Sequence, residues 1–426
     1  MVNEAAITTW DARKSLRNAA ITRRYTADDT IGLVAIMLDA AERLITASAR
    51  SDVASFMVMD VMAAAARLEA QGRHVVHMEV GQPAAPAPST ALAAARTALD
   101  TARIAYTEAL GILSLRGRIA RHYTETYGCE VDPGGVVVTT GSSAGFLLAF
   151  LALFEPGDRV AMARPGYPPY RHILTALGCD PVPIEISEAT RWSITVESLM
   201  AAHRRAPLKG VLVASPANPT GTMMSGPALA QLVAAAEAEG IRVISDEIYH
   251  GLDYAFAAET AVRLSESAVV INSFSKYFCM TGWRVGWMVV PAPLVRPIER
   301  LQQNLAISVP TLSQIAAEAA FDARAEMEEV KHGYERNRRI LLDGLPAVGL
   351  DKFLPVDGAF YLYADVSRFS NDSFDFAKRM LEEAGVAATP GIDFDPVNGK
   401  NFLRFCYAGS AEEMHEAVRR IGDWLK

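Results

Sequence analysis

Five short stretches of this 426-residue chain carry side chains suited to phosphate binding and covalent chemistry, and each follows a β-rich run. TTGSSAG (139–145) offers Ser142 and Ser143 at the start of an apolar helical stretch, where free N–H groups suit a phosphate. RPGYPPY (164–170) presents Tyr167 from a proline-rich turn, and PANPTG (216–221) presents Asn218. SDEIYHGL (245–252) carries Asp246 and Tyr249. SFSKYFCMTGWRVGW (273–287) sets Ser273, Ser275 and Lys276 before a dense aromatic run, with Arg284 further on. Each stretch has a plain explanation when taken alone. A serine there can cap a helix, Asn218 before a proline can be a turn residue, and Lys276 can snorkel to water. Taken as a set they supply a phosphate cradle, an aromatic face, an amide, a carboxylate with a phenol, and a lysine. That inventory holds a flat, phosphorylated, electron-withdrawing ring and bonds to it through an amine. A lysine in that role needs a depressed pKa, which apolar and cationic neighbours supply.

The elements that must position these residues are legible as alternating patterns. HVVHMEV (74–80), GVVVTT (135–140), RVAMA (159–163), GVLVAS (210–215), RVISD (242–246), VVINSF (269–274) and VGWMVV (285–290) read as short strands. Alanine-rich helical stretches such as GFLLAFLALF (145–154) and ALAQLVAAAEAEG (228–240) lie between most of them. Buried strands alternating with helices predict an α/β fold, with a mainly parallel central sheet covered by helices. In such sheets ligands bind beyond the carboxyl ends of the strands. From 311 onward long helices precede the strands AFYLYADV (359–366) and FLRFCYA (402–408), which predicts a smaller α+β domain. The expected division is an N-terminal extension over 1–50, a segment 51–80 packing with the small domain, a large domain over 81–310, and a small domain over 311–426. Within the extension, Thr26 and Asp29 have capping-box spacing, and Ile31, Val34, Leu38, Ala41 and Ile45 predict one amphipathic helix. A second helix is expected from Ser51 to Gly72.

Composition narrows the partners. The net charge is −8 and no basic block occurs, which argues against nucleic acid. The four cysteines are far apart and form no C-x-x-C pair, so neither a metal site nor a disulfide framework is expected. No apolar run approaches the length of a membrane span and no secretory pattern opens the chain, so the expected setting is cytoplasmic.

The chain resembles a fold-type I pyridoxal-phosphate enzyme of the class I/II aminotransferase family, the group that includes aspartate and aromatic aminotransferases. The resemblance rests on VGQP (80–83), AYTEALGILSLR (105–116), TGSSAG, RPGYPPY, SPANPTG, SDEIYHGL, SFSKYFCMTGWRVGW, GAFYLYADV (358–366), ATPGIDFD (388–395) and FLRFCYA, all in the family's order. It covers residues 50–426 and implies pyridoxal 5'-phosphate as cofactor. Lys276 then matches the Schiff-base lysine that also moves the substrate's α-proton, and Asp246 the carboxylate that keeps the pyridine nitrogen protonated. Asn218 and Tyr249 match the pair on the ring's phenolic oxygen, and Tyr167 the ring that stacks on it. Ser142, Ser143, Ser273 and Arg284 match the phosphate ligands. Tyr106 matches a tyrosine that reaches the phosphate from the neighbouring subunit, which implies a homodimer. Arg404 matches the clamp on the substrate α-carboxylate, with Asn218 beside it and Gly81 allowing close backbone approach. Asp395 stands where the family has glycine, which puts the local turn in question.

The implied activity is transfer of an amino group from an L-amino acid to a 2-oxo acid. The same scaffold also supports a carbon–sulfur β-lyase, and a non-enzymatic regulator with this fold would need a basic DNA-binding head. A dinucleotide-binding reading of TTGSSAG lacks a further glycine where Leu147 stands. Neither residues 301–323 nor 141–158 contain a lysine or arginine, positions where relatives bind a second carboxylate. Neutral or aromatic donors are therefore expected over acidic ones.

Overall fold

The computed structural model describes residues 45–426, so the amphipathic helix expected from Thr26 onward falls almost wholly outside the described residues. The chain divides into two compact units, Met1–Asp52 and Val53–Lys426. The described part of the first holds one 3-10 turn, Ala49–Ser51.

The second unit opens with α1 (Met57–Ala70), β1 (Val76–His77), α2 (Ser89–Thr101) and α3 (Leu113–Tyr127). An alternating run follows: β2 (Val136–Thr139), α4 (Gly141–Leu153), β3 (Arg159–Arg164), α5 (Pro168–Ala176), β4 (Asp180–Glu185), α6 (Val196–Arg205) and β5 (Gly210–Ala214). It continues through α7 (Gly226–Ala238), β6 (Arg242–Asp246), β7 (Val269–Ser273) and β8 (Gly286–Val289). Three helices, α8 (Ala292–Leu305), α9 (Thr311–Ala320) and α10 (Arg324–Ala347), lead to β9 (Tyr361–Asp365) and α11 (Ser373–Arg379). The chain closes with β10 (Val386–Ala387), β11 (Thr389–Pro390), β12 (Phe402–Cys406) and α12 (Ala411–Trp424).

The large sheet has seven strands in the order β2-β8-β7-β6-β5-β3-β4. Its β7-β6-β5-β3-β4 portion is parallel, and only β8 runs against its neighbours. The expected α/β architecture with a mainly parallel sheet is the observed one. Side-chain alternation assigns the two faces. Val160, Met162, Leu212, Ile244, Val269 and Ile271 pack with Phe146, Phe150, Leu174 and Ile298 of α4, α5 and α8. Their neighbours Ala161, Val211, Val213, Val243 and Val270 pack with Leu199 of α6 and Leu229, Leu232 and Val233 of α7. With both faces covered, β7 is buried along its whole length.

Two features depart from the sequence expectations. β4 (DPVPIE) was not among the expected strands, because Pro181 and Pro183 disguise it. It lies at the sheet edge, where a proline's missing N–H costs no central ladder bond. The boundary expected at 310/311 also falls one helix early in packing terms. Ala316, Ala317 and Ala320 of α9 share a core with Ala91 and Ala95 of α2 and Leu115 and Ile119 of α3, under the large sheet. Small residues on α2 and α9 let the two helices pack closely.

The smaller sheet has the order β11-β12-β9 and is antiparallel. β1 pairs with β10 in parallel, and α1 packs through Ala65 near Val75, Leu381 and Ala387. β1 and Ala65 of α1 therefore pack on C-terminal elements. The helix expected from Ser51 to Gly72 is shorter, Met57–Ala70.

Candidate active site

β2, β3, β5, β6 and β7 all run in one direction, so their carboxyl ends fall on one edge of the large sheet. That edge meets the 78–82 segment and the β12–β9 pair around a cavity of about 390 Å³. Lining it are Ser142 and Ser143 from the start of α4, Tyr167 and Tyr170 around the start of α5, and Asn218. Asp246, Tyr249, Ser275, Lys276, Arg284, Tyr361 and Arg404, with Gly81, Gln82 and Thr281, make up the rest of its polar wall. Phe56, Val58, Met59, Phe146 and Ile248 supply apolar surface.

One end is built for an anion. Gly141 begins α4 with a left-handed φ of +72°, and a Cβ there would overlap the Arg284 guanidinium. The arginine thus packs against the helix start, with Nη1 donating to the Thr281 carbonyl at 3.0 Å. Free main-chain N–H groups, two serine hydroxyls and a planar cation share this end.

At the sheet edge Asp246 is 4% exposed, and register places it beside Ala214 and Ile271. Burial pushes its carboxyl up to about 6, against hydrogen bonds from Tyr170 and the Ile248 N–H that favour the ionised form. The Tyr170 hydroxyl donates to Oδ2, and the Ile248 N–H donates to Oδ1 at 3.1 Å. Near pH 7 the group is mostly ionised. Its neighbour Glu247 lies outside this cavity lining and accepts from Ser245, Thr260 and the Ala261 N–H.

Lys276 donates from Nζ to the Gly81 carbonyl at 2.5 Å, and lies 5.9 Å from the ring centroids of Tyr249 and Phe360. Burial lowers its pKa to about 8, with Arg404 and Arg284 adding to the effect and Asp246 opposing it. An appreciable neutral fraction therefore exists near physiological pH.

Arg404 is 1% exposed on β12. Its Nη1 donates to Asn218 Oδ1 at 2.9 Å, and Nη2 donates to the Glu79 carbonyl and to Thr389 Oγ1. The guanidinium lies 4.4 Å from the Tyr361 ring centroid and 4.8 Å from that of Phe394. Its buried Nε has no acceptor, and among the described residues no carboxylate pairs with this charge. A buried unpaired cation is costly, so the site is arranged for a carboxylate ligand. Gly81 is required where it stands, since a Cβ would overlap the Tyr361 hydroxyl.

Two expected residues lie elsewhere. Ser273 is still the last residue of β7, paired with Gly286, and its hydroxyl turns to Ser275 Oγ (2.9 Å) and the Val285 carbonyl (3.3 Å). Ser275, past the turn, lines the cavity instead. Tyr106 is 80% exposed and does not line the cavity of its own chain. Asp395 resolves the question raised by its missing glycine. Its Oδ1 accepts from the Val397 and Asn398 N–H groups at 2.9 and 3.1 Å and organises the turn itself.

Tyr170 and Tyr361 were not singled out from sequence, although both lie in the quoted motifs. Tyr170 follows Tyr167 by three positions, the spacing that puts two side chains on one helix face. Tyr361 hydrogen-bonds the Tyr249 hydroxyl at 2.7 Å. Tyr170→Phe is expected to lower turnover about tenfold, the scale of one hydrogen bond to a charged group. Steady-state kinetics beside the parent checks this.

The family model described as aminotransferase class I and II matches residues 73–421. A valine–pyruvate aminotransferase of Mycobacterium tuberculosis is 50% identical over 380 residues, covering 88% of this chain and 97% of that protein. A (5-formylfuran-3-yl)methyl phosphate transaminase of Methanocaldococcus jannaschii is 35% identical over 376 residues, covering 87% and 97%. Among solved structures, an aminotransferase from M. tuberculosis superposes with a TM-score of 0.87 at 50% identity, covering 89% of this chain and 99% of that one. Aspartate aminotransferase from Thermus thermophilus with maleate gives 0.83 at 31% identity, covering 89% and 99%.

Proposed function

The chain belongs to the class I and II aminotransferase family and transfers an amino group from an amino acid to a 2-oxo acid; we propose that it uses pyridoxal phosphate, a neutral branched donor and pyruvate. The residues present fit this cofactor. The anion-binding end at Gly141, Ser142, Ser143 and Arg284 suits its phosphate, and the buried Asp246 carboxylate suits a protonated ring nitrogen. When bound, the cofactor supplies an electrophilic carbon for amines and an electron sink for the substrate's α-carbon. Asn218 and Tyr249 would hold its phenolic oxygen, and Tyr167 its ring face.

The chain's own residues supply the rest. Arg404 receives the α-carboxylate through the guanidinium whose Nε lacks a protein acceptor. That grip orients the α-carbon toward Lys276. The neutral amine of Lys276, favoured by burial, takes the α-proton and returns it. The Gly81 carbonyl holds that amine in place. Tyr170 keeps Asp246 oriented and ionised.

Donor choice rests on one observation: the cations lining the described cavity are Lys276, Arg284 and Arg404, all with roles above. None is left for a side-chain carboxylate, whereas Phe56, Val58, Met59 and Ile248 offer apolar surface. The similarity to a valine–pyruvate aminotransferase supports the same donor and acceptor. With purified holoenzyme, kcat/KM for valine with pyruvate is expected to exceed that for aspartate about 10²-fold or more, the scale of an unpaired buried charge. Equal use of aspartate contradicts the reading.

Two subunits are proposed to complete the site. Tyr106, Leu99, Ile104 and Leu113 are 80%, 64%, 48% and 63% exposed, an apolar surface suited to a second copy. Tyr106 would then reach the partner's phosphate end.

A further inference from the structure

Glu79 is a buried carboxylate outside the cavity lining, and the mechanism above gives its side chain no task. It is 0% exposed. Oε1 accepts from His77 Nδ1 at 2.8 Å, and Oε2 is buried with no partner. On its other side His77 Nε2 lies 3.1 Å from Glu69 Oε1 on α1. The imidazole thus bridges two carboxylates, and its pKa is raised to about 9, chiefly by the bond with Glu79. It is cationic at neutral pH.

The main chain of the same residue does something different. The Glu79 carbonyl accepts from Arg404 Nη2 and from Thr389 Oγ1, the latter at 2.8 Å. Thr389 Oγ1 in turn accepts from Arg404 Nη2 at 3.1 Å. Two residues on, the Gly81 carbonyl receives Lys276 Nζ. One short extended segment therefore carries a main-chain acceptor for the cavity's carboxylate-seeking arginine and another for its lysine. β1 ends at His77, and main-chain bonds at Met78, whose N–H donates to the Ala387 carbonyl at 3.0 Å and whose carbonyl accepts from the Cys406 N–H at 2.7 Å, extend the pairing up to Glu79 but not to its own main chain. A buried carboxylate is an expensive way to hold a strand unless position matters.

We infer that the Glu79–His77 pair is a positioning device: it fixes the Glu79 carbonyl that orders Arg404, and so sets the affinity of the cavity for the substrate's α-carboxylate. The inference rests on the proposed role of Arg404. Because Glu69 belongs to α1, whose first turn brings Val58 and Met59 to the cavity, the same link ties that helix to the arginine. Glu79 and His77 act through Arg404 and touch no substrate.

The test measures binding of isovalerate, a carboxylate with valine's branched chain and no amino group, to the holoenzyme by calorimetry. Glu79→Ala and His77→Ala are expected to weaken binding about tenfold or more, and to raise KM for the amino donor in parallel, with kcat changed less than about threefold. Glu79→Gln keeps an acceptor for His77 Nδ1–H, and is expected to stay within about threefold of the parent. Isovalerate affinity within twofold of the parent in both alanine variants overturns the inference, as does a glutamine variant as weak as alanine. If Glu79→Ala does not fold, His77→Ala decides by the same criterion, its side chain being partly exposed. Arg404→Ala separates the two readings. Unchanged binding there sinks the clamp itself, whereas lost binding there with intact His77→Ala binding sinks only the positioning role.

Discussion

Lys276→Ala is expected to lower amino-group transfer about 10⁴-fold or more, the upper range for loss of a positioned proton-transfer group. Among the described residues it is the only amine in the cavity lining, which it shares with Asp246 and Arg404. Burial, with Arg404 and Arg284 adding to it, lowers the pKa of Lys276 to about 8, so the neutral, nucleophilic form gains population as pH rises through that value. Uptake of pyridoxal phosphate by cofactor-free enzyme should accelerate over the same range. Lys276→Arg distinguishes chemistry from charge. Arginine keeps the positive charge but stays protonated, so it should be as inactive as alanine. A general loss of folding would show in circular dichroism, and neither variant is expected to show one. Retained activity in the arginine variant would mean that the site needs only a cation there.

Asp246→Asn is expected to cost about 10²–10³-fold in turnover, the scale of removing one preorganised electrostatic partner. The asparagine is nearly isosteric: its one oxygen still accepts from the Ile248 N–H, while its amide NH2 takes the place of Oδ2 and donates to the Tyr170 hydroxyl, so shape is kept while the charge is lost. Only an ionised carboxylate favours a protonated ring nitrogen over a neutral one. The sign of the pH effect follows from its direction of shift. Burial raises the carboxyl to about 6, so the charge is present above that value and lost as pH falls through it. A cationic nitrogen beside it favours the ionised form and moves the titration lower in the holoenzyme. Parent activity should therefore show an acidic limb below about pH 6 that Asp246→Asn lacks. Equal turnover of the two proteins at pH 7.5 would remove Asp246 from the mechanism.

Much of this site was legible because the sheet is parallel. Once GVVVTT, RVAMA, GVLVAS, RVISD and VVINSF are read as parallel strands, their last residues must share one edge. The polar residues that end them then become one constellation. The motif resemblance added the roles. Residues acting from behind were harder to see. Tyr170 and Tyr361 matter through what their hydroxyls touch, and contacts 76 and 112 residues away in sequence leave no local pattern. Ser273 and Ser275 show the opposite limit. Two serines in one turn are equivalent in sequence, and only the end of β7 decides which one faces the cavity. β4 escaped for a third reason, since its two prolines signal a turn unless the strand is known to be an edge. The packing of α9 was invisible because alanines that fit a close helix pair read as ordinary helix formers.

The most direct test reduces the purified holoenzyme with borohydride and maps the cofactor's attachment by peptide mass spectrometry. The account requires the added phosphopyridoxyl mass on the peptide containing Lys276 and on no other lysine. Label on a different lysine, or none on a protein that still transaminates, would contradict it.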